Sequence, residues 1–224
     1  MTESAAITHD LLTGLINRKT FHDMFDKALE KSKNSNEPLS LAFIDIDHFL
    51  KLNDTYGHSG GDDVLVALAE ILREKAGEND IICRYGGDEF AILFPSTERE
   101  QVFLLVEEIR ASAAAQTILL SKSDQKIQGI SISAGIACAP IDGCLKSEIM
   151  RKADQALYRA KLTGRGKVRL AYDERMVPKT SHYTQTQLER LSKLAGERQA
   201  GEAELLREAL DDLISKYGVN EIER

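Results

Sequence analysis

Asp45 and Asp88 are the residues best placed to do chemistry. Asp45 stands at the end of an apolar run, Leu39–Ile46, that reads as a buried strand. Asp88 lies in Gly86-Gly87-Asp88-Glu89, between the strand candidates Ile81–Tyr85 and Phe90–Phe94, the pattern of a hairpin with a glycine-containing turn. Carboxylates at strand ends around one edge of a sheet can hold a hard cation, and magnesium shares its oxygen ligands with substrate phosphates. Two such ions, about 3.5–4 Å apart, would grip the attacking and leaving oxygens of an in-line displacement. The plain alternative is that both carboxylates cap turns, although Asp45-Ile46-Asp47 followed by Gly86-Gly87-Asp88-Glu89 is harder to explain that way. Gly86 and Gly87 leave backbone free to approach a phosphate, yet most such pairs are only turns. Lys161 and Arg165, past the middle of a helix and just after its end, either neutralise a triphosphate or form a solvated basic pair.

These groups need a scaffold. Phe21, Met24, Phe25, Ala28 and Leu29 recur at helical spacing, predicting a helix over residues 17–32, which Asn34-Ser35-Asn36-Glu37-Pro38 breaks. Gly60-Gly61-Asp62-Asp63 opens a second helix with Val64, Leu65, Leu68, Ala69 and Leu72 on its apolar face. Residues 98–115 read as a helix, 129–137 as a strand, 145–162 as an amphipathic helix ended by Thr163-Gly164, and 168–172 as a last strand. The order α-β-α-β-β-α-β-α-β fits one α/β domain with a partly antiparallel sheet. Beyond Val177-Pro178 only two helical segments follow, about residues 185–199 and 202–217. The expected domains are 1–175 and 176–224, the second too small to support a core alone and therefore expected to dimerise or to pack on the first.

Composition narrows the classes. Of 224 residues, 42% are hydrophobic, enough for a sizeable core, and the net charge of −7 argues against nucleic acid or an anionic membrane as the main partner. Cys83, Cys138 and Cys144 have no framework or zinc spacing and read as reduced thiols. The N-terminus has no signal-peptide pattern, and no apolar run reaches the roughly 18 residues of a membrane span. A soluble, cytoplasmic protein is expected.

The stretch Arg84-Tyr85-Gly86-Gly87-Asp88-Glu89-Phe90 resembles the signature of GGDEF-domain diguanylate cyclases. Four further blocks appear in that family's order. Asp10-Leu11-Leu12-Thr13-Gly14-Leu15-Ile16-Asn17-Arg18 is similar to its DxLTGLxNR, and Asp45-Ile46-Asp47-His48-Phe49 with Asn53-Asp54 to its DIDHFKxxND. Gly57-His58 with Gly61-Asp62 resembles GHxxGD, and residues 153–165 resemble ADxALYxAKxxGR. The likeness covers about residues 9–173.

It implies a palm-like cyclase fold, with a mostly antiparallel five-stranded sheet flanked by helices. It also implies condensation of two GTP into cyclic di-GMP and two pyrophosphates across a homodimer. Asp45, the Ile46 carbonyl and Asp88 would hold two magnesium (or manganese) ions, and Glu89 with Asp88 would serve catalysis. Phe49, Asn53 and Asp62 would meet the guanine, where a carboxylate can accept from both N1–H and the exocyclic amine. Gly86, Gly87, Lys161 and Arg165 would meet the phosphates.

Three positions depart from the family. Leu50 stands where a phosphate-binding lysine is common, with Lys51 beside it. Gly166 follows Arg165 in place of asparagine. Gly77-Glu78-Asn79-Asp80 replaces the inhibitory RxxD, so product inhibition through that site is expected to be weak.

Only nine residues precede Asp10, so control is expected from the C-terminal unit or from concentration. That unit faintly resembles a ribbon-helix-helix fold, with Lys179–Tyr183 as ribbon, Thr184 as N-cap, and Thr180 and His182 facing DNA. Its 7 Lys+Arg against 9 Asp+Glu over residues 179–224 argue the other way. Two further readings stand beside an active cyclase: a catalytically weak GGDEF domain that senses GTP or a cyclic dinucleotide, and a DNA-binding regulator switched by nucleotide.

Overall fold

In the computed structural model, which describes residues 8–171, 180–198 and 201–217, side chains of alternating parity build two cores around one sheet. The central strand β2 (Leu39–Ile46) is buried along all eight residues, because helices cover both of its faces. Ala42, Ile44 and Ile46 point into one core with Phe90, Ile92, Phe94, Ile132, Ala134 and Ile136. Leu39, Leu41 and Phe43 point into the other with Ala91, Leu93 and Ala137. This is the period-two geometry of a strand.

The sheet has six strands in the order β1-β3-β4-β2-β7-β8. β4 (Glu89–Pro95) and β7 (Ile132–Ala139) flank β2 antiparallel. β3 (Ile81–Gly86) pairs antiparallel with β4, with a bulge at Arg84/Gly86. The edges are parallel pairs, β1 (Ile16–Asn17) on β3 and β8 (Val168–Leu170) on β7. β1 is the strand beyond the expected five; two residues are too few to carry a sequence period.

Helix α1 (Arg18–Ser35) starts where the Asn17 side chain accepts the Thr20 N–H, and ends at a left-handed Asn36. With α4 (Lys146–Leu162) it covers the Phe43 face. Helix α2 (Phe49–Lys75) and α3 (Arg99–Ala115) cover the other. α2 corrects one expectation. It begins at Phe49 rather than at Gly60, broken at Gly57 (φ 74°, ψ 169°), so Asn53 lies on a short first segment and Asp62 on the second. The chain after α3 adds a small hairpin, β5 (Thr117–Leu119) and β6 (Lys126–Gln128), which the sequence reading did not anticipate.

Packing divides the chain into Met1–Asp173 and Glu174–Arg224. The expected boundary near 175, the end of the last strand at Tyr172 and the ribbon residue Lys179 lie outside the described residues. The second unit contains α5 (Gln185–Arg198) and α6 (Glu202–Lys216). Thr184 caps α5 reciprocally: its hydroxyl accepts the Gln187 N–H at 3.3 Å, while Gln187 Oε1 accepts the Thr184 N–H at 2.9 Å. Residues 180–183 pair with no strand among the described residues. No described helix is long and apolar enough to cross a membrane.

Candidate active site

Strand register brings the acidic groups together. Asp45 pairs with Glu89 across β2 and β4. One residue on, the Ile46 N–H donates to the Asp88 carbonyl at 3.3 Å. Residues more than forty positions apart therefore meet at one strand end. Parity aims Asp45 at the α4 face, where Lys161 Nζ lies 2.7 Å from Asp45 Oδ2. Burial pushes the Asp45 carboxyl above the ordinary aspartate range; Lys161 pulls it back, and the neighbouring Asp88 and Glu89 charges push it up again.

The glycines of the hairpin differ in their surroundings. A Cβ on Gly86 would lie 3.5 Å from Glu89 Oε2, whereas one on Gly87 would meet nothing within 4 Å. The tip is held from behind. Arg84 donates to the Gly87 carbonyl through Nε (3.1 Å) and Nη2 (2.8 Å), and through Nη1 to both Asp10 oxygens (3.2 and 3.3 Å). Asp10 also accepts from the Thr13 N–H (2.8 Å) and hydroxyl (2.7 Å). Below the hairpin, the Tyr85 hydroxyl meets His22 Nε2 at 3.2 Å, and the Arg18 guanidinium lies 4.5 Å from its ring centroid.

This brace yields a pH prediction. Burial alone would raise the Asp10 pKa, but Thr13 and Arg84 outweigh it and hold the carboxyl below its ordinary 3.8. A pKa depressed in the fold means stability present above 3.8 and lost as the pH falls below it. Asp10→Asn is expected to cost about 1–2 kcal/mol at neutral pH. It should also flatten the acid limb of a plot of thermal midpoint against pH; an unchanged limb would count against the brace.

A second cluster lies at the start of α2. Asn53 Oδ1 is buried without a hydrogen-bond partner among the described residues. It faces Gly61, where a Cβ would come within 2.0 Å of it and 3.2 Å of Phe49 Cζ. An orphaned buried acceptor costs about 1–3 kcal/mol until a donor reaches it. Asp62, next to Gly61, is solvent-exposed, and Asp63 accepts from the Ser121 N–H (2.8 Å) and hydroxyl (3.1 Å) of the β5–β6 loop. Leu50 is 79% exposed. Arg165 is exposed in the turn after α4.

The structure therefore brings Asp45, Ile46, Asp88, Glu89 and Lys161 into one cluster, and Phe49, Asn53 and Gly61 into another. Lys161, read from the sequence as a phosphate ligand, is ion-paired to Asp45. Arg84 and Asp10 gain a role only from the fold, where Arg84 bridges the Gly87 carbonyl and the Asp10 carboxylate.

The sequence matches the family described as "Diguanylate cyclase, GGDEF domain" over residues 7–167. The chain belongs to the GGDEF family. This GGDEF domain is 37% identical over 163 residues to diguanylate cyclase DgcM of Escherichia coli, covering 73% of the chain and 38% of DgcM. It is 33% identical over 159 residues to the response regulator PleD of Caulobacter vibrioides, covering 71% and 35%. The chain thus spans little more than a third of the length of these relatives. Among solved structures, the GGDEF domain of DgcB from Caulobacter crescentus, in complex with c-di-GMP, superimposes with TM-score 0.69 at 35% identity. That match covers 74% of this chain and 94% of that one.

GGDEF diguanylate cyclases are metal-dependent, and the donor set of this GGDEF domain suits a hard ion. Among the described residues no three His, Cys, Asp or Glu side chains form a ready-made cage. Two carboxylates and a backbone carbonyl still suffice for magnesium, which keeps waters and substrate phosphates in its shell. Asp45 also carries two neighbouring negative charges against one ammonium, a balance that a cation relieves.

Proposed function

We propose that this chain condenses two GTP molecules into cyclic di-GMP, releasing two pyrophosphates. The observation that carries the reading is the register that joins Asp45 and Ile46 to Asp88 and Glu89 at one strand end. Asp45, the Ile46 carbonyl and Asp88 would hold two magnesium ions. When bound, these supply charge neutralisation at the α-phosphate. Asn53 and Asp62 take the guanine: the orphaned Asn53 Oδ1 gains a donor, and the Asp62 carboxylate accepts from N1–H and the amine. Phe49, whose Cζ lies 3.2 Å from where a Gly61 Cβ would stand, would flank the base. Gly86 and Gly87 let backbone approach the phosphates, and Lys161 and Arg165 balance their charge.

The 3′-oxygen of one GTP forms a bond to the α-phosphorus of the other as the bond to pyrophosphate breaks. Glu89, exposed at the rim, receives the hydroxyl proton. The same exchange, repeated with roles reversed, closes the ring. Incubation with GTP and magnesium, followed by chromatographic identification of the product, tests this. GTP bound but not consumed would favour the sensor reading, which the exposed hydrocarbon of Leu50 at a lysine position supports.

Each domain holds one GTP, so two must meet. The C-terminal unit is suited to bring them together. Leu206, Leu210, Leu213, Ile214 and Tyr217 form one stripe along α6 and its end, at spacings of a helix face. Four of them are 39–70% exposed. Glutamate at both Leu210 and Leu213 is expected to yield a monomer in sedimentation and to lower product formation about tenfold or more at dilute protein. A dimer that persists would remove this role. DNA as a partner has only the faint ribbon-helix-helix likeness behind it, against an acidic unit.

Product inhibition is expected to be weak. Asp80 Oδ2 is occupied by the Gly77 N–H at 2.7 Å, closing its own turn. The adjoining concavity of about 370 Å³, lined by Met24, Lys27, Lys31 and Asn79 among others, offers no guanidinium. Initial rates should change less than twofold with added micromolar cyclic di-GMP; strong inhibition that Asp80→Ala abolishes would contradict this.

A further inference from the structure

Asp47 has no part in the chemistry above, yet its carboxylate accepts three hydrogen bonds. It is 7% exposed. Oδ1 accepts from Ser133 Oγ at 2.7 Å, and Oδ2 from Ser131 Oγ at 2.7 Å and from the Gly166 N–H at 2.9 Å. Three donors on two buried oxygens leave little for a metal. The last contact joins the catalytic strand end to the turn after α4.

That turn is strained. Gly164 (φ 102°), Arg165 (φ 60°) and Gly166 (φ 58°) are consecutive left-handed residues, and the middle one carries a Cβ. A non-glycine residue held there costs about 1–2 kcal/mol and persists only where its surroundings enforce it. Enforcement comes from two sides. The Arg165 N–H donates to the Ala160 carbonyl at 3.0 Å, and the Gly166 N–H donates to Asp47.

We propose that Asp47 is a positioning residue for the phosphate side of the site. By holding Gly166 it fixes the left-handed Arg165 and presents that guanidinium at the strand end carrying Asp45. This rests on the reading that Arg165 meets GTP phosphates. It also explains the second aspartate of Asp45-Ile46-Asp47. Asp45 lies in β2 and faces α4, while Asp47, in the turn just beyond the strand, reaches Ser133 of β7 and the Gly166 N–H, so one aspartate serves the proposed chemistry and the other the turn beside it.

The test uses the full chain and 3′-deoxy-GTP, which lacks the attacking hydroxyl. Asp47→Asn keeps the shape but replaces an acceptor oxygen with an amide. It is expected to weaken 3′-deoxy-GTP binding about tenfold. Arg165→Ala should weaken it by a similar factor, and the double variant no further than Arg165→Ala alone. With GTP, the loss should fall on KM more than on kcat. Wild-type affinity in Asp47→Asn, or an equal loss with and without Arg165, would overturn the proposal.

If Asp47→Asn fails to fold, Ser131→Ala perturbs the same oxygen more gently. It should give a smaller loss with the same dependence on Arg165; an additive loss overturns the proposal there too. If the wild type neither binds 3′-deoxy-GTP nor forms cyclic di-GMP, the cyclase reading fails, and amide exchange still decides the role of Asp47. The Arg165 and Gly166 amides should exchange about tenfold faster in Asp47→Asn, or in Ser131→Ala, while the core of α4 is unchanged. Unchanged exchange overturns the proposal.

Discussion

Asp88→Ala is expected to cut cyclic di-GMP formation by about a thousandfold or more while leaving stability within about 0.5 kcal/mol of the parent. The two halves of this expectation have separate causes. The Asp88 side chain is half-exposed. What the fold takes from this residue is its backbone carbonyl, which accepts the Ile46 N–H and survives the substitution. In the proposed mechanism, by contrast, the chemistry loses one of the two carboxylates assigned to the divalent ions, and Asp45 alone would not fix both an attacking and a leaving oxygen. Chromatographic quantification of product beside a thermal melt checks both halves. Activity within tenfold of the parent would remove Asp88 from the site; a large fall in melting temperature would make its role structural.

Gly135→Ala is expected to have the opposite character. Gly135 lies on β7 opposite Phe43, under α4. A Cβ there would stand 2.1 Å from both the Ala153 carbonyl oxygen and the Leu157 nitrogen, and 2.8 Å from the Ala156 carbonyl carbon. These are backbone atoms and cannot swing aside. The helix must lift from the strand, at a cost of about 3 kcal/mol or more. For a unit of this size the melting temperature should fall by about 6–12 °C. Because α4 also carries Lys161 to Asp45, activity should fall beyond the loss of folded protein.

Gly87→Ala supplies the contrast. No atom lies within 4 Å of a Cβ at that position. Stability should hold within about 0.5 kcal/mol. Turnover should still fall, since the proposed phosphate approach uses that open space. Two glycines of the same chain would thus separate, one by melting temperature and the other by rate. A Gly135→Ala protein as stable as the parent would mean that α4 packs less closely than described.

Much of this was legible in the residues. The apolar run Leu39–Ile46 is β2, and the Gly86-Gly87 punctuation marks the turn between β3 and β4. Strands and amphipathic helices of this length announce themselves because burial repeats with their own period. Shorter or interrupted pieces do not. β1 has two residues, the β5–β6 hairpin buries Ile118 and Ile127 alone among its six strand residues, and the first turns of α2 end at a glycine no helix pattern predicts.

By itself the sequence determined which side chains were available for metal, guanine and phosphate, because residue type and local order are written in it. Only the tertiary structure decided how they are arranged. Whether Asp45 and Asp47 share a face, which backbone amide Asp47 holds, and that Arg84 reaches Gly87 and Asp10 together all depend on strand register and on α4 seated over Gly135. Those are contacts between segments tens of residues apart, and no local period encodes them.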